Sequence, residues 1–197
     1  MHHSHTLYGE LVHVPLLVRS PGERPRVDER PAGLIDIAPT LLDAAGLPPL
    51  PGAAGHSLFA APLAAPRALV ATRFHERGSH LLSIELGEWK LHRRVPLALT
   101  SPADPLGLRA SDVQTELYRV STDPGEQRDV ANDHGETVAE LLAAARDWQR
   151  EAIKRMREDD ERYGRATKDV IGLDPGIEEA LRGFGYSLDE EEVQAPR

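Results

Sequence analysis

Four places along the chain hold residue types that could do chemistry. The first is His2, His3 and His5, directly behind Met1. Neutral imidazole is a common metal ligand, so three histidines this close could hold a metal, and an appended tag would also explain them; a solvated N-terminal tail is the reading favoured. The second is Asp133-His134-Gly135-Glu136. It lies where a helix should start, so Asp133 is expected to serve as an N-cap with Glu136 as its capping-box partner rather than as a metal ligand. The third, Asp159-Asp160-Glu161, lacks the loop glycine and the alternating ligands of a calcium loop. The fourth, Asp36, precedes an apolar-periodic stretch, and a capping carboxylate accounts for it. His56, among Pro, Ala and Gly, reads as a loop residue with no catalytic role. There is no cysteine, which excludes disulfides and thiolate metal sites and leaves the redox compartment open.

The elements that must position these residues follow from the hydrophobic pattern. Val14 to Val18 is an apolar run without polar alternation, as in a strand buried on both faces, with Pro15 at its start and Ser20-Pro21-Gly22 stopping it. Leu34, Ile35, Ile37, Ala38, Leu41, Leu42 and Ala45 recur at helical spacing, with Pro39 tolerated in the first turn and Gly46 as the stop. Residues 47–67 read as a linker rich in Pro, Ala and Gly. Beyond it, Ala68 to Phe74 alternates weakly, and His80 to Leu86 with Glu88 to Arg93 forms a hairpin turning at Gly87. Trp89 and Leu91 should then share one face, and Lys90 and His92 the other. Glu116 to Val120 gives a last strand, ended by Asp123-Pro124-Gly125. A helix from Glu136 to Arg157, with Val138, Leu141, Leu142, Ala145, Trp148, Ala152, Ile153 and Met156 on one stripe, should cover the sheet. A short amphipathic element from Gly176 to Phe184 precedes an acidic end.

Composition narrows the function classes. A chain of 197 residues suits one domain or one and a half, and 40% hydrophobic with 28% charged residues is ordinary for a globular protein. A net charge of −9 argues against nucleic acid as the main partner. No stretch approaches the length of a membrane span, and Met1 is followed by histidines rather than by the basic and apolar regions of a signal peptide. The compartment stays open.

Several short motifs in order carry a resemblance. Leu7-Tyr8-x-Glu10, Val14-Pro15-Leu16-Leu17-Val18, Pro21-Gly22, Asp36-Ile37-Ala38-Pro39-Thr40-Leu41-Leu42 and Ala45-Gly46 are followed by Gly55-x-Ser57-Leu58, Trp89-Lys90-Leu91, Glu116-Leu117-Tyr118 and Asp123-Pro124-x-Glu126. Leu173-Asp174-Pro175 and Leu181-x-x-x-Gly185-Tyr186 close the series. From about His3 to Tyr186 the chain resembles the C-terminal part of the sulfatases, of the alkaline-phosphatase-like hydrolases. The resemblance implies that His3 and His5, in positions where sulfatases carry basic residues before Leu-Tyr, contact the sulfate group. It implies calcium and a formylglycine nucleophile for a full-length member. The Cys- or Ser-x-Pro-x-Arg signature that yields formylglycine is absent from this sequence, and so are the family's paired aspartate ligands. Sulfatases also use an Asp-His-Gly-Glu for metal binding near the end of their catalytic half, but residues 133–136 fall after the landmarks from Leu7-Tyr8 to Asp123-Pro124-x-Glu126, which should follow it.

The expected fold class is α/β, and α+β for this stretch: the last strand and helix of an alkaline-phosphatase-like domain, then a small antiparallel sheet covered by a C-terminal helix. The expected divisions are a catalytic-domain remnant at 1–47, a linker at 48–67, a subdomain at 68–157 and a charged tail at 158–197. The expected function is that of a sulfatase-like fragment whose parent acts on a sulfate ester and which, alone, has no catalytic or metal residues and no cofactor. The competing readings are a non-catalytic module derived from such an enzyme, or a fragment of a related phosphodiesterase or phosphonate hydrolase. Neither a nucleic-acid nor a membrane partner is expected. An exposed Val14–Val18 edge is expected to drive self-association.

Overall fold

The computed structural model describes residues 6–20, 24–63, 66–75 and 78–163. The contacts divide the chain into residues 1–157 and 158–197, and of the latter only the end of the last helix is described. The first unit begins with a single helical turn, α1 (Gly9–Val12), followed later by α2 (Ile37–Ala44). Four strands then form one antiparallel sheet in sequential order: β1 (Leu69–His75), β2 (Ser79–Leu86), β3 (Trp89–Pro96) and β4 (Gln114–Arg119). A long helix, α3 (Gly135–Tyr163), follows. This is the expected α+β arrangement of a C-terminal antiparallel sheet and a long helix.

The hairpin turns where the sequence places it. Leu86 pairs with Trp89 across Gly87-Glu88, and Gly87 has φ 61°, which a two-residue turn matching the strand twist requires at its first position. The register then divides the sheet into two faces. Ile84, Leu91 and Leu117 lie side by side on one, and Ser83, His92 and Glu116 on the other, next to Glu85, Lys90 and Tyr118. The first face builds the core: Leu82, Ile84, Leu91 and Leu117 are buried with Leu106 and Leu108 of the β3–β4 connection and Leu141 and Ala145 of α3. Each fully buried leucine or isoleucine contributes about 1.5–3 kcal/mol. Trp148 packs against this cluster but stays partly exposed, so Leu141 and Ala145 are the positions of the helix that go deepest.

The β3–β4 connection is held by polar groups rather than by regular structure. The Asp104 carboxylate accepts the N–H groups of Leu108 and Arg109 and an N–H of the Gln149 side chain, while Arg93 donates to the carbonyls of Leu108 and Ala110. These bonds tie the loop to the sheet on one side and to α3 on the other.

Two expectations for the first fifty residues are corrected. Residues 13–20 contain no strand, and Val14, Leu16, Leu17 and Val18 are all exposed, Leu17 to 90%. An apolar run forms a buried strand only where other strands can take up its backbone groups, and among the described residues none lies beside it. The helix is real and ends at Gly46 as the sequence suggests. Gly46 has φ 66° and donates to the Asp43 carbonyl, and Leu47 donates to that of Leu42, the paired bonds of a glycine-terminated helix end. Its apolar stripe, however, is not buried. Leu34, Ile35 and Leu41 are exposed, and only Asp36 and Thr40 are buried in this region, against the loop at 55–58.

Candidate functional site

The strands that carry the core on one face present a run of polar side chains on the other, and the N-terminal segment lies on it. At the centre is Glu126, whose side chain is 3% exposed. Its Oε1 accepts hydrogen bonds from Lys90 Nζ at 2.6 Å and from the Gly9 N–H at 2.8 Å. Its Oε2 lies 2.7 Å from His92 Nε2, and since a carboxylate only accepts, that ring nitrogen carries the proton. Beside it, Glu116 Oε2 accepts from the hydroxyls of Tyr8 at 2.6 Å and Tyr118 at 3.1 Å, and Gln114 donates to Oε1. The Tyr8 ring meets the His92 ring edge-on at 4.7 Å, and His92 meets Tyr118 at 5.8 Å.

The chain places each of these by a local rule. Lys90 and His92 are two apart on β3 and so share a face, and Glu116 and Tyr118 are their cross-strand partners on β4. Glu126 arrives from a turn. The Asp123 carboxylate accepts the N–H groups of Gln127 and Arg128, its carbonyl accepts that of Glu126, and Glu126 sits at φ 51°. A left-handed glutamate costs on the order of 1–3 kcal/mol, so the contacts of its carboxylate must hold it there. Gly9 completes the arrangement, because a Cβ at that position would stand 3.0 Å from Glu126 Oε1.

The electrostatics follow from burial and pairing. Burial pushes the Glu126 carboxyl up, but the Lys90 ammonium, the Gly9 N–H and His92 outweigh it and hold the pKa below the usual carboxylate range. Burial pulls His92 down, against the opposing pull of Glu126. Both tyrosines are raised, by burial first and by the Glu116 charge. The cluster thus pairs one ammonium with the Glu126 carboxylate and holds a second carboxylate, Glu116, under two tyrosine hydroxyls, with a neutral imidazole favoured at His92 by its surroundings. A shallow pocket of about 330 Å³, its open mouth included, lies alongside, walled by Thr6, Leu7 and Tyr8 and by Arg94, Gln114 and Glu116.

This arrangement supports a segment rather than performing chemistry itself. Lys90 is 4% exposed and its charge is taken up by Glu126, so neither is free to meet a substrate. Nor does the cluster suit calcium. Both oxygens of Glu126 are occupied by donors, one of them a cation that would repel a metal ion. Among the described residues no group of three or more His, Cys, Asp or Glu could hold a metal.

His3 and His5, the residues expected to bind substrate, lie outside the described residues. Asp133 and Glu136 do not form the expected capping box. α3 opens at Gly135, and among the described residues neither side chain makes a capping bond; the His134 ring instead packs on Trp89 at 4.9 Å. Asp36 is structural in a different way from the cap expected of it. Its carboxylate makes no cap bond to α2. It accepts the N–H groups of Gly33 and His56 and pairs with Arg67, and although burial raises it, these partners hold its pKa at about 2. Asp159, Asp160 and Glu161 are exposed on α3. Sequence reasoning passed over Tyr8, Lys90, His92, Glu116 and Glu126 as a group. The signal was present as the separate motifs Leu7-Tyr8, Trp89-Lys90-Leu91, Glu116-Leu117-Tyr118 and Asp123-Pro124-x-Glu126, which prove to be the parts of one network.

Comparison with known proteins adds the family link. No family model matches the chain. An arylsulfatase K of Danio rerio is 30% identical over 141 residues, which is 66% of this chain and 24% of that protein. An arylsulfatase K of Mus musculus is 29% identical over 150 residues, covering 69% and 25%. Among solved structures, a protein in complex with its substrate D-glucosamine-2-N,6-O-disulfate aligns with TM-score 0.44 and 19% identity over 59% of this chain and 23% of that one. Another, from work on glycosaminoglycan metabolism by Bacteroides thetaiotaomicron, aligns with TM-score 0.41 and 22% identity over 60% and 25%. The chain spans about a quarter of the length of the curated relatives it matches. By sequence, the protein is a distant homologue of the arylsulfatases, aligned with them over that quarter.

Proposed function

We propose that this chain is the C-terminal part of a sulfatase-like hydrolase, a sulfuric ester hydrolase in which the formylglycine nucleophile and the calcium ligands belong to residues outside this sequence. On this reading, residues 1–47 complete the catalytic domain, 48–67 link it to the subdomain at 68–157, and 158–197 form a charged tail. His3 and His5 meet the sulfate group of the ester. Cleavage of a sulfate ester needs an in-line nucleophile, a cation on the nucleophile and sulfate oxygens, and a donor for the leaving alkoxide. Imidazoles that titrate near neutrality suit only the last of these tasks, or a hydrogen bond to the sulfate. The role of the sheet and α3 is then to hold the strip that bears them.

The observation that carries this reading is the exposure of apolar residues at Val14, Leu16, Leu17 and Val18 and along Leu34, Ile35 and Leu41. A self-contained domain rarely leaves so many large apolar side chains of two neighbouring segments in water, whereas a part of a larger domain does. The test is hydrolysis of an aryl sulfate with calcium, by the 197-residue chain and by a version extended upstream in the reading frame. Turnover only by the extended protein, weakened by His3→Ala or His5→Ala, supports the reading. Turnover by the short chain that is lost in those variants overturns it.

A further inference from the structure

The Glu126 network is more elaborate than folding of the sheet requires. The core lies on the other face and is built without it. A buried Lys–Glu pair seldom stabilises more than apolar residues of the same volume; what it does supply is a fixed geometry, since any displacement strands a buried charge. Here the geometry that it fixes is that of a distant piece of chain. Gly9 is 117 positions from Glu126, and Tyr8 is 108 from Glu116, yet a backbone N–H of the one and the hydroxyl of the other are each held by a carboxylate on the polar sheet face. The bond to Gly9 goes to backbone, so it sets where the chain runs whatever side chains it bears. A left-handed glutamate, presented by the Asp123 turn, makes that bond.

We infer that Glu126 is a positioning residue: shared between Lys90, His92 and the Gly9 N–H, it locks the Tyr8–Gly9 backbone to the sheet and thereby sets the place of the strip that leads to His5. The effect of Glu126 on a sulfate group rests on the histidine reading given above; the lock itself does not.

The experiment uses the 197-residue chain with Glu126→Ala and Glu126→Gln, and Glu88→Gln as a control at the exposed pair with Arg119. Amide exchange reports the lock. In Glu126→Ala the Gly9 amide should exchange at least about tenfold faster while the amides of Ile84 and Leu91, paired across β2 and β3, keep their protection. Glu126→Gln keeps an acceptor for Gly9 but loses the charge that holds Lys90, so it should fall between, and Glu88→Gln should change nothing. Unchanged Gly9 exchange in Glu126→Ala, with the sheet intact, overturns the lock. Loss of protection at Ile84 and Leu91 together with Gly9 also overturns it, because Glu126 would then support the sheet as a whole. The second readout is titration with inorganic sulfate at constant ionic strength, followed at the His3 and His5 ring protons. The unsubstituted chain should respond, and Glu126→Ala should raise the apparent Kd at least about threefold. An equal Kd in both overturns the positioning role. No sulfate response in the unsubstituted chain removes the histidine reading and with it the consequence for sulfate, and Gly9 exchange alone then decides whether the lock stands.

Discussion

Lys90 carries a full positive charge at a position almost closed to solvent, and what makes this tolerable is the carboxylate 2.6 Å away. Removing one member of such a pair leaves the other buried and uncompensated. Lys90→Met should therefore cost about 3–5 kcal/mol, read as a fall in the urea midpoint, and joint replacement of Lys90 and Glu126 by apolar residues should recover part of that loss. A cost within error for the single variant would mean that the pair is solvated in solution. The same cluster sets a pH dependence. The folded His92 has its pKa pulled below the usual 6.5, so the unfolded chain takes up a proton that the folded one refuses, and stability should start to fall as the pH drops below about 6.5. Glu126 and Asp36 act in the same sense at lower pH. Their folded pKa values are depressed, Asp36 from 3.8 to about 2, so the stability they contribute is present above their ordinary values and is lost as acid protonates them. Urea midpoints should thus decline from about pH 7 downward in two stages, and His92→Gln should shrink the upper one, leaving the part due to His80, whose pKa burial also lowers. A midpoint flat between about pH 7 and 5 in the unsubstituted chain would contradict the buried imidazole.

At the scale of elements, the packing of α3 on the sheet runs through Leu141, which is 1% exposed. Leu141→Ala should cost about 2–5 kcal/mol in denaturant unfolding. Trp148→Ala should cost less than the about 3–5 kcal/mol of a fully buried tryptophan, because the residue is only partly buried. The reverse order would place the ring deeper than the helix register allows. These elements were legible in the sequence because their signals are local. Gly87 marks the hairpin, Gly46 the end of α2, and the stripe from Val138 to Trp148 the side of α3 that meets the core, although its expected end, Met156, is 58% exposed. The network around Glu126 was not legible. Each of its members sat in a motif, but nothing within a few residues of Lys90 says that its partner lies 36 positions on, in a left-handed turn that glutamate rarely adopts. The stripe on α2 misled for a related reason. Periodicity tells which side of a helix is apolar, and burial needs a second surface to meet it. The same holds for Val14 to Val18, where an apolar run reads as a strand although no neighbouring strand is described.

At the scale of the molecule, the unit of residues 1–157 shows two conditions among its described residues: a sheet and helix with a closed core, and a leading stretch with exposed apolar side chains. No helix among the described residues is long and apolar enough to cross a membrane. The isolated chain should bind a dye for exposed apolar surface or self-associate in sedimentation, and Leu17→Glu with Leu41→Glu should reduce either effect without lowering the urea midpoint. A dye-free monomer would count against the exposed face. The central claim is that the chain holds the support of a sulfate-ester site and not its reacting groups. The most direct measurement is turnover of an aryl sulfate by the purified 197-residue chain with calcium present. The account predicts a rate equal to that of buffer; hydrolysis above it, abolished by His3→Ala or His5→Ala, would contradict the account.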